Sequence, residues 1–372
     1  MPSVQPGTAT VTRLVEDACA APSLLNAQPW AFRWNTATGE LALRADPGRR
    51  LSRTDPDDRA LHLGCGAALL NLRVAAARAG WRAVVRELPD PADPELLAAV
   101  AFDRGEAPDP GLAELYPAIA RRRSVRTPFT EEPVPEELLD GLCGAALAEG
   151  ARLSLLGAWQ VADALALLDE AERAEAADPA ARAEVARWTG PGAGPDGIPG
   201  YAFGPRPAAG PVPVRAYGKV HEGPGPGGGD EPPEAAEFER APRLAVLSTR
   251  YDRPGDWLRA GQALERVLLR ATRDGLATSL NSQSVERPEL RWAVRDPLSA
   301  AGHPQLMLRF GYGSDASGAP PRRPVTEVLE VVPDGGGEPD GPADRGDPSG
   351  PGESGSGQAA AMAEDGARST TR

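Results

Sequence analysis

DPDDRALHLGCGAALLNLRVAAARAG, residues 55–80, reads as one long helix, opened by acidic residues and stopped at Gly80. At 1.5 Å per residue it spans roughly 35 Å, about the diameter of a whole domain. Leu61, Leu63, Ala67, Ala68, Leu70, Leu72 and Val74 cover more than one of its faces, which predicts a helix buried centrally. Towards the N-terminus, Val11, Leu14, Val15, Ala18 and Cys19 recur at helical spacing, and extended runs follow at Trp30–Trp34 and Leu41–Arg44. Beyond Gly80, WRAVVREL and LLAAVAF read as strands.

The rest of the ordered chain echoes this pattern. PVPEELLDGLCGAALAEG is a helix with Pro135 suited to its first turn, RLSLL is extended, and WQVADALALLDEAERAEA is an amphipathic helix. PRLAVLST is a buried strand, WLRAGQALERVLLRATRDG a second long helix stopped at Gly275, and PQLMLRFGYG a closing strand. The expectation is an α+β fold of two related halves, residues 1–105 and 106–332, each built around one long helix.

Composition sets limits on function. The chain has 372 residues, and 40 Lys+Arg against 53 Asp+Glu leave a net charge of −13, the opposite of the basic excess of a nucleic-acid or anionic-membrane binder. Cys19, Cys65 and Cys143 lack both a disulfide framework and C-x-x-C metal spacing. The N-terminus lacks a signal-peptide pattern, and no uninterrupted apolar run approaches the ~20 residues of a membrane helix. These features predict a soluble, acidic protein of a reducing, cytoplasmic compartment, with no metal. Residues 333–372 contain no Val, Ile, Leu or aromatic side chain and read as a disordered tail. Residues 190–236 are rich in Gly and Pro, but Ile198, Tyr201, Phe203, Val212, Val214 and Tyr217 give their first part apolar anchors, as in a lid or binding loop.

Two segments carry candidate chemistry. In APSLLNAQPW, Pro22 and Ser23 end the first helix, and Asn26 and Gln28 alternate along an expected extended run so that both amides could enter one groove. By spacing alone, a turn whose amides cap nearby backbone is the stronger reading. In RRRSVRTPF, Arg122, Arg123, Ser124 and Arg126 form a candidate phosphate cradle in an acidic chain whose one lysine is Lys219; a solvated basic turn is the alternative. Arg322 and Arg323 make a further basic pair after the last strand. His62, His221 and His303 are scattered, and Cys65, Trp30, Trp257 and Trp292 read as packed residues.

Together, RRRSVRTPFTEEPVPEELLDGL, APSLLNAQPWAF, GIPGYAFGP and LNSQSVE resemble nitroreductase-fold flavoproteins, and among them the Acg-type branch, in which a nitroreductase dimer is fused into one chain. The resemblance runs from about Thr10 to Val332. It implies FMN bound between the halves, with Pro22, Ser23, Asn26 and Gln28 from one half, and Arg122, Arg123, Ser124 and Arg126 from the other. Arg322 or Arg323 would join the phosphate. Ser282 and Gln283 fall where the family has an acidic-Gly pair beside flavin N5, and no catalytic side chain is implied. QPGTATVTR stands where a second arginine stretch belongs, and EGARLSLLGAW where a second Ser/Asn/Gln segment belongs, so one FMN per chain is expected, in a monomeric pseudo-dimer or a homodimer. The implied activity is NAD(P)H-driven reduction of a quinone, nitroaromatic or similar electrophile, by ping-pong hydride transfer through flavin N5. The alternative is an FMN storage or sequestration protein with a closed lid.

Removing residues 333–372 should leave the melting temperature nearly unchanged, because that stretch has no apolar side chain to dock. Thermal denaturation of the full and shortened chains checks this, and a fall of several degrees would show docking.

Overall fold

A computed structural model describes residues 5–104, 109–190, 196–208, 215, 235–295, 302–313 and 318–333. The expected tail beyond Pro333, with Val212, Val214, Tyr217 and His221, lies outside the described residues.

The first elements are α1 (Thr8–Ala18), β1 (Trp30–Asn35), β2 (Glu40–Ala45), α2 (Arg59–Arg78), β3 (Arg82–Glu87) and β4 (Leu96–Asp103). Two single-turn helices, α3 (Pro110–Ala113) and α4 (Tyr116–Ile119), lead into the arginine stretch. Then come α5 (Glu136–Ala148), β5 (Arg152–Leu155), α6 (Ala158–Ala177), α7 (Pro179–Arg187), β6 (Arg206–Pro207) and β7 (Ala235–Ala236). The chain continues with β8 (Arg243–Thr249), α8 (Pro254–Arg273), β9 (Ala277–Asn281), α9 (Gln283–Glu286), α10 (Pro288–Val294), β10 (His303–Gly311), α11 (Val325–Val328) and β11 (Leu329–Val332).

The expected α+β architecture is present. One sheet has the order β11-β1-β2-β4-β3 and packs α1 and α2 against its buried face; the other has the order β5-β8-β10-β9 and packs α5 and α8. The sheets differ in strand number and order. A strand absent from the sequence reading is β11, which runs parallel to β1 with Phe32 opposite Leu329 and Trp34 opposite Val331. The last described element thus completes the first sheet, because β1 offers it an unpaired edge. Periodicity marks a strand but does not say which edge it joins.

The two long helices cross very closely. A Cβ added to Gly66 would lie 2.1 Å from the Leu258 carbonyl oxygen, and one added to Gly261 would lie 2.1 Å from that of Leu63. The backbones touch where no side chain can stand. By length and composition α2 could cross a membrane, but 94% of its apolar window is buried inside the protein. Its hydrophobicity serves the core, as its multi-faced pattern predicts. Asp55 starts it, accepting hydrogen bonds from the Ala60 and Leu61 amides at 2.9 Å each.

Gly66→Ala or Gly261→Ala should each cost about 3 kcal/mol or more, the upper range for overpacking, because the obstacle is backbone and cannot change rotamer. Gly144→Ala on α5, where an added Cβ meets nothing within 4 Å, should instead stabilise by roughly 0.5–1 kcal/mol. Urea midpoints at constant slope measure all three.

Candidate functional site

The segment between α1 and β1 departs from the expected extended run. Leu24–Asn26 is a turn of 3₁₀ helix, and Leu25, Asn26 and Gln28 have φ of 51°, 54° and 52°. Left-handed backbone costs roughly 1–2 kcal/mol per non-glycine residue, so three in four positions need compensation. Burial of Leu25 among Ala27, Leu51, Val185, Ile198 and Ala202 supplies part of it. Hydrogen bonds supply more: Ser23 Oγ accepts from the Gln28 amide at 2.9 Å. Asn26 Nδ2 donates to the carbonyls of Gly197 at 2.8 Å and Pro321 at 3.0 Å, while its Oδ1 accepts from Arg322 Nη1 at 2.9 Å. The Gln28 Oε1 accepts from the Arg323 amide at 2.9 Å. Both amides therefore bind distant backbone, tying the 197 loop and the 320–323 segment to the first sheet.

The arginine stretch is held by β9. Val125 N donates to the Thr278 carbonyl at 2.7 Å, and Ser124 bridges Thr278 in parallel. Beyond it, the Arg309 guanidinium stacks on the Phe129 ring, 3.6 Å from its centroid, and pairs with Glu239. Arg126 Nη1 donates to the Ala202 carbonyl at 3.0 Å. Here the loop passes so close that a Cβ on Gly204, at φ 82°, would meet Arg126 O at 2.6 Å. Arg122 Nη2 and Arg322 Nη2 both donate to the Ala20 carbonyl, at 3.1 and 3.3 Å. Two cations, Arg122 buried and Arg322 half-buried, thus converge on one oxygen just past the end of α1.

These segments enclose a cavity of about 280 Å³, near the lower end of cofactor-site sizes. Pro22, Ser23, Asn26, Arg122, Arg123, Ser124, Arg126, Ser282 and Arg322 line it, as expected. Gln28, Gln283 and Arg323 do not; Gln28 and Arg323 brace its wall from behind, and Gln283 is buried in α9. The sequence reading missed Arg59, Gln305 and most of the apolar wall, Leu63, Leu264, Leu280 and Leu306, although it marked Ile198 as an anchor of a lid or binding loop. Arg59 donates to the carbonyls of Gln305 and Val285, and burial lowers its pKa to about 10. The available signal was an arginine opening a helix whose first three turns carry no other charged residue.

Five arginines line the cavity and, among the described residues, no carboxylate does. Burial, and then the nearby Arg122 charge, lower the Arg322 pKa to about 9; burial lowers that of Arg122 against the pull of Glu265. The Nε of Arg122 and that of Arg322 donate no hydrogen bond. Crowded, desolvated guanidinium groups with unused donors favour an anion.

Several other residues pack as the sequence suggests. His62 Nδ1 lies 2.6 Å from the Asp58 carbonyl, its pKa lowered by burial, and its ring meets Trp257 edge-on. Burial pushes the Cys65 thiol up, and Trp30 is fully buried. Trp292 departs from expectation: it is 64% exposed, against His303 and Arg295. The described residues contain no cluster of His, Cys, Asp and Glu able to hold a metal.

A model of the nitroreductase family matches residues 119–312. A Mycobacterium tuberculosis relative named "Putative NAD(P)H nitroreductase" is 33% identical over 332 residues, 87% of this chain and 92% of its own length. Another from that organism, "Putative NAD(P)H nitroreductase acg", is 32% identical over 341 residues, 89% of this chain and 98% of its own. An FMN-bound nitroreductase from Bacteroides fragilis aligns with a TM-score of 0.31 at 16% identity, over 55% of this chain and 90% of that one. With full-length relatives at this identity, the chain belongs to the nitroreductase family.

Asn26→Ala should destabilise the protein by about 1–3 kcal/mol, because Arg322 and two carbonyls lose a buried partner. Tryptic cleavage after Arg322 should accelerate in parallel, and unchanged cleavage would show that Asn26 does not hold this segment.

Proposed function

We propose that the cavity holds one FMN per chain and that the protein is an NAD(P)H-dependent oxidoreductase, reducing a quinone, nitroaromatic or similar electrophile. The observation that carries this is the arginine-lined, carboxylate-free cavity beside an apolar wall. The residues present fit the cofactor. Arg122, Arg123, Ser124 and Arg322 would hold the phosphate, with the unused Nε of Arg322 as a spare donor. Arg126 would face the ribityl side, and Leu63, Ile198, Leu264, Leu280 and Leu306 would cover the ring system. When bound, FMN supplies a centre that accepts a hydride from the nicotinamide and passes it to the electrophile.

The chain's own contribution is placement and exclusion of water. Ile198 and Ala202 from the 197–204 loop and Gly318–Pro320 line the same cavity, and Tyr201 Oη donates to the Ala319 carbonyl at 3.1 Å. That bond fastens two lining segments together, and Tyr201, 60% exposed, can release it at little cost. A lid that opens admits the nicotinamide and then the electrophile in turn. We read residues 1–105 and 106–332 as the two halves of a pseudo-dimer forming one composite site. The three cysteines, all free, fit a cytoplasmic location.

The purified protein should be yellow and release FMN near one per chain on heating; a ratio near two, or FAD, overturns the composite site. Arg126→Ala should weaken FMN retention about ten- to a hundredfold, and Ser124→Ala less, as expected for charge-assisted and neutral hydrogen bonds to an anion. Anaerobic mixing with NADH or NADPH should bleach the flavin. A flavin that stays oxidised under excess of both would favour storage over turnover.

A further inference from the structure

Behind the cationic wall lies a carboxylate with no part in the chemistry above. Glu265, on α8 one turn beyond the Gly66–Gly261 crossing, is fully buried. Its Oε1 stands 3.4 Å from Arg122 Nε, an ion pair without hydrogen-bond alignment, and neither carboxylate oxygen accepts a well-formed hydrogen bond. The charged groups facing it are Arg122, from the stretch before β9, and Arg322, from the segment before α11; α2 presents the neutral Asn71 amide. Arg123 and Arg126 act in turn on Arg122. The Cys19 thiol, which ends α1 and is pushed up to about 11 by burial, faces Arg322 as a neutral group. Within this enclosure two guanidinium groups stand against one carboxylate.

Arg122 and Arg322 present one side to Glu265 and another to the cavity. An anion entering the cavity therefore competes with Glu265 for the same two cations, and two ionised groups sharing them repel each other at short range. We propose that Glu265 is a proton-linked counter-charge of the anion cavity: a phosphate-bearing ligand replaces its carboxylate as partner of Arg122 and Arg322, and Glu265 takes up one proton from solvent as the ligand enters. The inference rests on the cavity being the seat of the FMN phosphate. In the step, one O–H bond forms on Glu265 at the expense of a solvent or buffer acid, and nothing is oxidised or reduced.

The sign follows from burial. Desolvation raises the Glu265 carboxyl to about 7, with Arg122 opposing the rise, so below that pH the carboxyl is neutral and both cations are available. Above it the ionised carboxylate competes with the ligand. A bound dianion pushes the proton affinity higher still, so ligand binding takes up a proton and affinity falls as pH rises. One linked proton gives at most about a tenfold loss per pH unit. The ligand's own phosphate titrates near pH ~6 and is already dianionic above about 7.

The test uses the full chain loaded with FMN, diluted between about pH 7 and 8.5, with released flavin read by fluorescence to give Kd. The parent should lose affinity up to tenfold per pH unit and take up protons when FMN is added back in weak buffer. In Glu265→Gln the affinity should be nearly flat up to about pH 8, above which Arg322, lowered to about 9, begins to lose its charge, and proton uptake between pH 7 and 8 should be nearly absent. Riboflavin, which lacks the phosphate, should show no such slope in the parent. A pH-independent parent Kd, a Glu265→Gln slope equal to the parent's, or the same slope with riboflavin overturns the proposal while leaving FMN binding intact. The parent's proton uptake needs no variant, so a Glu265→Gln chain that does not fold still leaves a deciding measurement. If FMN fails to bind but inorganic phosphate binds with proton uptake, the cofactor assignment falls and the counter-charge stands; if neither binds at any pH, both fall.

Discussion

The contact of α2 with α8 at Gly66 and Gly261 is the constraint on which the other features rest. A methyl group on either glycine would fall 2.1 Å from a carbonyl oxygen of the facing helix, so the separation of the helices is set by backbone. From that point each helix carries its own sheet, and each contributes to the cavity: Arg59, Leu63 and Gly64 from α2, Leu264 from α8. At Gly64 the neighbour is a side chain, since a Cβ there would stand 3.2 Å from Ser23 Cβ. Close approach of backbones fixes the core, and packing of Ser23 against Gly64 fixes part of one wall of the site.

Around that crossing the molecule gathers charge that an isolated domain would avoid. Arg122 and Glu265 are buried and Arg322 is half-buried, and desolvation alone shifts each towards its neutral form. A buried pair in which one member has unused donors contributes little to stability. The arrangement makes better sense as preorganisation for an anion, with desolvation accepted at folding so that the ligand meets cations already aligned. The left-handed turn at Leu25, Asn26 and Gln28 belongs to the same design. Its strain is held by hydrogen bonds to the 197 loop and the 320–323 segment, which deliver Arg322 to the cavity.

Much of this was legible from residue order. The two long helices announce themselves by apolar coverage and terminal glycines, and the strands of both sheets, β9 and β11 apart, by runs of branched and apolar side chains. The arginine stretch and the Pro22–Gln28 segment were recognisable as candidate walls, because a run of guanidinium groups in an acidic chain is unusual enough to mark itself. What could not be read was the direction of individual side chains. Asn26 and Gln28 looked alike by spacing, yet one lines the cavity and the other braces its wall, because the intervening backbone turns left-handed under tertiary contacts.

The sequence by itself determined which segments are helix, strand and low-complexity, and which residue types could meet an anion, since these follow from local periodicity and composition. Tertiary structure alone decided that β11 returns to β1, that Arg59 and Glu265 flank the cavity, and that Arg323 turns away where Arg322 turns in. The physical reason is that burial and partner geometry are properties of segments far apart in the chain. Arg322 meets Asn26 across 296 positions, and no local pattern records a contact made at that distance.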